Sequence, residues 1–340
     1  MRGKLYATLG PACAEKETLG KMFREGMAGM RLNLSHGTLE ESKSWVETMH
    51  AAAKAEGVTP DLIIDLQGPE LRIGKLGSPV EMKEGGIAVL GEDFPVPECV
   101  IPNLVGGDEI LLDDGMLLLR VEDAKRGLCR VVRGGTLCSR KSLAIVGREL
   151  PAPALTELDI ENLRLAGAFG VTGIMQPFVR GGEDLIAVRR AMRETGTEKL
   201  KLFAKIENQN GLHKLDEIIP LADVVICARG DLGNAMPLWE LPRAQAKIVA
   251  KCTAAQREFM LSTQMLHSMH HSAVPTRAEV TDVYQAAKSG ASYLLLTGET
   301  AVGEYPVEAM HYFARIAYNG WEDADEMDRE TKKSGIGRCP

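Results

Sequence analysis

The amino-acid sequence predicts an α/β protein built as a (β/α)8 barrel, the TIM-barrel architecture, with a small all-β domain inserted after the third strand. Three observations carry this expectation. Short apolar runs of strand length alternate with longer amphipathic stretches eight times along the 340 residues, the pattern of parallel strands joined by helices. Polar and charged residues collect at the carboxyl ends of several runs, where such a barrel carries its chemistry. Between residues 75 and 148 the texture changes to short strand-like pieces broken by Gly-Gly and Asp-Asp-Gly turns. An open doubly wound sheet is the rival arrangement. No G-x-G-x-x-G follows the first run, which weighs against it.

In chain order, strands are expected over residues 4–9, 29–34, 61–66, 172–176, 201–206, 223–228, 259–263 and 292–297. Helices are expected to start near Glu17, Leu39, Thr156, Glu183, Gly211, Leu241, Arg277 and Pro306. Thr156, followed three residues later by Asp159, resembles a capping box, and Pro306 suits a first helical turn. Strand-like pieces at 109–112, 116–121 and 128–132 make up the insert, and Pro151 and Pro153 mark the return to the barrel. The division is a barrel over 1–74 and 149–325, an insert over 75–148 and a tail over 326–340. The polar residues from Trp321 onward read as frayed.

Composition narrows the function classes. The chain has 40 Lys+Arg against 47 Asp+Glu, a net charge of −7, with 45% apolar and 26% charged residues. That balance fits a folded globular protein and gives no support for a nucleic-acid binder, so anionic ligands must be met by local basic clusters. No apolar run is long enough for a transmembrane helix, and Met1 to Gly10 lacks a secretory apolar segment, so a cytoplasmic protein without membrane partners is expected. The seven scattered cysteines contain no Cys-x-x-Cys and read as free thiols. His270-His271 reads as a solvated turn, Met265 and Met269 as core, and the acidic stretch 323–330 as solvated surface. Trp239, after Pro237, is expected to plug the barrel rim.

The strand ends are the informative places. Arg31, Asn33 and Ser35 alternate along the end of the second strand and so share one face, whether solvated edge or site. The third strand ends Asp65-Leu66-Gln67-Gly68-Pro69-Glu70-Leu71-Arg72, a turn between acids and an arginine. The fifth places Lys205 and Glu207 on one face, and a lysine inside a barrel is costly unless paired or functional. The sixth ends Arg229-Gly230-Asp231, the seventh at Thr263 and the eighth at Thr297-Gly298-Glu299-Thr300. Glu207 and Asp231, from adjacent strands, could hold Mg²⁺, which takes one or two carboxylates plus substrate oxygens and water. Cations, a divalent site and hydroxyls suit phosphoryl transfer on a phosphate–carboxylate substrate. Neither a P-loop motif nor a protein-kinase motif set is present.

At these residues the sequence resembles the pyruvate kinase family over nearly its whole length. Carrying the resemblance are Thr8-Leu9-Gly10-Pro11-Ala12, Arg31-Leu32-Asn33-Leu34-Ser35-His36-Gly37, Gly68-Pro69-Glu70-Leu71-Arg72, A-K-I-E-N at 204–208 and A-R-G-D-L-G at 228–233. Thr263-Gln264-Met265-Leu266, P-T-R-A-E-V-T-D-V at 275–283 and G-E-T-A at 298–301 continue it. The resemblance implies transfer of a phosphoryl group from phosphoenolpyruvate to ADP, giving pyruvate and ATP, with Mg²⁺ (or Mn²⁺) and K⁺ as cofactors. It implies catalytic roles for Arg31, Lys205 and Thr263, and substrate contacts from Arg31, Lys205, Gly230, Asp231 and Thr263. Glu207 and Asp231 would hold the divalent metal. Asn33, Ser35, Asp65 and the Leu66 carbonyl would hold K⁺, with Glu70 the residue type that accompanies potassium dependence. Arg72, Lys141, His36 and Pro11 would meet the nucleotide. The insert, with Asp113-Asp114-Gly115, would be the family's mobile lid.

This sequence departs from the family pattern at Leu66-Gln67, Pro177, Asn234-Ala235-Met236 and the loosely matching stretch 141–147. It also stops after its eighth helix, so a short form is expected that lacks the C-terminal domain and its effector control, with any homo-oligomer formed through barrel surfaces. Two other functions fit the residues: nucleotide-independent enolate chemistry such as oxaloacetate decarboxylation, and a non-catalytic phospho-metabolite sensor or partner subunit.

Overall fold

The computed structural model describes residues 3–35, 37–113, 115–146 and 152–334. Eight parallel strands close into a barrel: β1 (Lys4–Thr8), β2 (Met27–Asn33), β3 (Asp61–Asp65), β4 (Gly173–Gln176), β5 (Lys201–Ile206), β6 (Val224–Ala228), β7 (Glu258–Ser262) and β8 (Tyr293–Leu295). Each strand pairs in parallel with its sequence neighbours, and β8 returns to β1. The closed barrel settles the choice against an open sheet.

Alternation along the strands builds two apolar layers. One set, including Tyr6, Ile63, Met175, Phe203, Ile226, Met260, Tyr293 and Leu295, fills the barrel interior. The other, including Leu32, Ile64, Ile174, Leu202, Val225, Leu261 and Leu294, packs into the larger layer shared with the helices. Both faces are covered, which is why the strands read as continuous apolar runs. Gly29 and Gly173 make room for the interior rings: a Cβ at 29 would stand 2.6 Å from the Asp61 carbonyl and 3.0 Å from the Tyr6 ring, and one at 173 would stand 2.8 Å from Phe203.

At the amino ends of the strands the interior is closed by polar pairs. Asp61 accepts from Tyr6 Oη at 2.6 Å and Lys4 Nζ at 2.8 Å. Lys201 Nζ donates to Glu258 at 2.7 Å and to Tyr293 Oη at 2.8 Å. Burial lowers the Lys201 pKa, but the bonds to Glu258 and Tyr293 outweigh it and hold the ammonium above its ordinary value.

The helix Glu157–Leu165 begins with the expected Thr156–Asp159 capping box. A second box, Thr276 with Glu279, opens Arg277–Lys288. Two expectations are corrected. From Trp321 to Ser334 the polar stretch is not frayed: helix Pro306–Ser334 runs through it, anchored where the buried Trp321 indole donates to the Ala291 carbonyl at 2.8 Å; residues 335–340 of the expected tail lie outside the described residues. Trp239 does not plug the rim; it is 81% exposed, beside Leu238 at 69%, in the short 3-10 turn Leu238–Glu240. Met265 and Met269 are fully buried, and the six described cysteines are free. Among the described residues no helix is long and apolar enough to cross a membrane.

Residues Pro69–Pro153 form a separate compact unit; Met1–Gly68 and Ala154–Pro340 form the other. The insert holds an antiparallel sheet in the order Leu143–Ile145, Glu109–Leu112, Leu117–Asp123, Leu128–Arg133, Ile87–Val89, and a strand pair Val80–Met82 with Gly135–Leu137. It has its own core around Ile110, Leu119, Cys129 and Val131. Asp114, Arg148 and Pro151 lie outside the described residues.

Gly29→Ala is expected to cost about 1–3 kcal/mol of stability in denaturant unfolding, since the contacting backbone must move. Gly167→Ala, where a Cβ meets nothing within 4 Å, is expected to stay within about 0.5 kcal/mol of the parent.

Candidate active site

The same alternation that fills the interior with apolar side chains ends in a polar layer. At the carboxyl ends of the strands Arg31, Asp65 and Lys205 continue the inward face, and Asn33 stands in register with Asp65 on the neighbouring strand. Asp65 is 1% exposed. Its Oδ2 accepts from Arg31 Nε at 2.8 Å and Nη2 at 2.6 Å, and from Lys205 Nζ at 3.0 Å. Arg31 Nη1 also donates to Thr8 Oγ1 at 3.3 Å. Lys205 Nζ lies 3.0 Å from Glu207 Oε1, and Glu207 Oε2 accepts the Phe178 N–H at 2.8 Å.

Burial alone would raise the Asp65 pKa, but the Lys205 and Arg31 charges more than offset it and hold the carboxyl below the usual range. Burial pulls Lys205 down, yet Asp65 and Glu207 raise it, so it stays an ammonium. Glu207 is pushed up to about 7, first by burial, then by the neighbouring Asp231 and Asp65 charges, with Lys205 opposing. One carboxylate of the group is thus firmly ionised and the other is poised near neutrality.

Glu207 Oε1 is buried without an aligned hydrogen bond: the Lys205 ammonium is near it but out of line. A buried carboxylate oxygen with hydrogen-bonding capacity to spare is one that could also ligate a metal ion. Asp231, in the first turn of the helix Arg229–Asn234, lies close enough for its charge to act on both Lys205 and Glu207. Among the described residues no three His, Cys, Asp or Glu gather as a metal cluster. Glu207 and Asp231 are carboxylates, a donor type that fits Mg²⁺ completed by substrate and water. The residues expected at a monovalent-cation site stand at the ends of β2 and β3. Asn33 Oδ1 there accepts the Ser35 N–H at 3.1 Å, and the Leu66 N–H donates to the Met175 carbonyl at 3.1 Å.

Thr263 follows β7 with φ of +72°, a left-handed conformation that is unfavourable for a β-branched residue. Its Oγ1 accepts the Gly230 N–H at 2.7 Å and donates to the Ser262 carbonyl at 2.6 Å. Sequence reasoning gave no role to Arg229, which reaches this loop and pairs with Asp282. A buried arginine beside the Gly-Asp pair was the available signal; its partner fifty-three residues on was not. Gln176 was also missed. It is fully buried at the end of β4 and donates to the Ala154 carbonyl at 2.7 Å.

The other expected site residues are placed as follows. Pro11 is on an exposed turn after β1, and His36 lies outside the described residues. Within the insert, Arg72 pairs with Glu70 at 2.8 Å and donates to the Arg140 carbonyl at 2.9 Å, and Lys141 pairs with Asp113 at 2.8 Å. Glu299 at the end of the eighth unit is a buried tie, accepting the N–H groups of Leu266 at 3.1 Å and Thr297 at 2.8 Å.

Glu207 sets a pH dependence. Its folded pKa of about 7 lies above the ordinary 4.5, so between these values the folded state binds the extra proton and stability falls as pH rises. In metal-free protein, Glu207→Gln should gain on the parent across pH 5–8 by up to about 3 kcal/mol. Denaturant midpoints for both proteins across that range check this; a constant gap would refute it.

The family model for "Pyruvate kinase, barrel domain" matches residues 1–310. Curated relatives named pyruvate kinase align along most of the chain. That of Aeropyrum pernix is 37% identical over 330 residues, spanning 95% of this chain and 72% of the relative. That of Thermococcus litoralis is 37% identical over 349 residues, spanning 99% and 73%. That of Geobacillus stearothermophilus is 35% identical over 348 residues, spanning 97% and 59%. A profile match over most of the chain, with relatives at this identity, makes the protein a member of the pyruvate kinase family.

Proposed function

We propose that the protein is a soluble cytoplasmic phosphotransferase that moves the phosphoryl group of phosphoenolpyruvate to ADP, forming pyruvate and ATP. The observation that carries this reading is the buried Arg31–Asp65–Lys205–Glu207 constellation. It is a cationic pair held by one carboxylate, beside a second carboxylate whose Oε1 is ion-paired to Lys205 but accepts no aligned hydrogen bond.

Arg31 binds the substrate phosphate. An oxygen of the ADP β-phosphate attacks phosphorus in line, and the bond from phosphorus to the enol oxygen breaks. Lys205 neutralises charge on the equatorial oxygens of the transferring group. Asp65 fixes both cations beforehand, so little reorganisation is needed as charge develops. Gly230, Asp231 and Thr263 contact the substrate or the enolate left behind, which takes a proton at carbon to become pyruvate. The Thr263 hydroxyl, already oriented by Gly230 and Ser262, holds the water that delivers that proton. When bound, Mg²⁺ on Glu207 and Asp231 and K⁺ on Asn33, Ser35, Asp65 and the Leu66 carbonyl supply positive charge that screens the phosphate and stabilises the enolate oxygen. Arg72 and Lys141 of the insert provide the cationic contacts for the nucleotide.

Pyruvate formation from phosphoenolpyruvate and ADP, with Mg²⁺ and K⁺, tests the reading. Lys205→Ala is expected to lower kcat by about 10²–10³-fold, with far-ultraviolet circular dichroism unchanged. Chelation by EDTA should abolish turnover, and replacing K⁺ with a bulky organic cation should reduce it. No turnover across nucleoside diphosphates, or nucleotide-independent pyruvate release from oxaloacetate as the dominant activity, would overturn the assignment.

A further inference from the structure

We propose that Arg229 and Asp282 form a positioning pair that holds Thr263 in its working conformation; this rests on the function proposed for Thr263 above. The argument starts from strain. Thr263 at φ +72° and Gln264 at φ +51° are consecutive left-handed residues without glycine. Each such residue is unfavourable and persists only where its surroundings over-determine it. Four contacts from one side chain do so. Arg229 donates from Nε and Nη2 to the Thr263 carbonyl at 3.2 and 2.9 Å. Its Nη2 also reaches the Gln264 carbonyl at 3.3 Å and Met265 Sδ at 2.8 Å.

The guanidinium is itself fixed. It is 9% exposed, and its Nη1 donates to Asp282 Oδ1 and Oδ2 at 2.9 and 2.7 Å. Asp282 sits on the helix Arg277–Lys288, whose first turn is held by its capping box and by Glu279 accepting the Ser268 N–H at 2.7 Å. Arg229 neighbours Gly230, whose N–H engages Thr263 Oγ1. One helical turn therefore fixes both the backbone and the hydroxyl of Thr263. A planar fork with five donors can span a carboxylate and several carbonyls at once; a lysine ammonium cannot. Arg229 and Asp282 act through Thr263 rather than on the reacting atoms.

The test uses the full chain with Arg229→Lys, Arg229→Met and Asp282→Asn, each alone and with Thr263→Ala. The first readout is exchange of pyruvate methyl protons for deuterium in D₂O with Mg²⁺ and K⁺, followed by NMR beside steady-state turnover. Arg229→Lys is expected to slow exchange and kcat about 10- to 100-fold with the KM for phosphoenolpyruvate within about threefold. In the Thr263→Ala background the same change should cost less than about threefold, because its effect runs through the missing hydroxyl. The second readout is the Thr263 φ in crystals of the variants, expected to leave the left-handed region in Arg229→Met; if that variant does not fold, Asp282→Asn replaces it. Full additivity with Thr263→Ala, or an unchanged Thr263 φ with undiminished exchange, would overturn the proposal. If the parent neither turns over nor exchanges, the functional reading of the site fails, and the crystallographic readout still decides whether the pair holds Thr263.

Discussion

At the carboxyl end of the barrel interior one buried carboxylate, Asp65, accepts hydrogen bonds from two cations on different strands, Arg31 and Lys205. Each charge alone would be expensive to bury; together, with good hydrogen-bond geometry, they offset much of one another's desolvation. The two cations are answered by Asp65 and, nearby, by Glu207 and Asp231, so the positive groups are held in fixed places rather than left as a net charge. Removing Asp65 would leave two buried cations facing each other, so this carboxylate ties the fold of the mouth to its chemistry.

Much of this was legible from the sequence because strand periodicity is simple. Side chains two apart share a face, so the Arg31–Asn33 and Lys205–Glu207 spacings already put each pair together on one side of its strand. Strand limits agree with the apolar runs to within about two residues, since burial on both faces leaves little room for polar residues. The partners did not follow. Asp65 meets Lys205 from 140 positions away, and no local pattern encodes a pairing set by barrel closure. Arg229 and Glu299 were opaque for the same reason: both look like mouth residues, and both spend their polar atoms on neighbouring loops.

The two misread segments have local causes. The polar stretch after Trp321 contains good helix formers, and a buried indole at its start extends the helix beyond the point where apolar periodicity fades. Trp239 was expected inside because large aromatics usually are, yet the 3-10 turn that carries it faces solvent. Thr263 shows the opposite case. A threonine offers no sequence sign of a left-handed backbone; in the fold its carbonyl accepts from Arg229 and its hydroxyl engages Gly230 and Ser262.

The polar pairs at the amino ends, Lys4–Asp61–Tyr6 and Lys201–Glu258–Tyr293, sit beneath a plug of aromatic and aliphatic side chains that fills the bore. The bore is thus filled from its amino end up to the layer that holds Lys205 and Asp65. A substrate therefore meets these groups at the strand tips, and it is there that water must be kept from the reacting atoms.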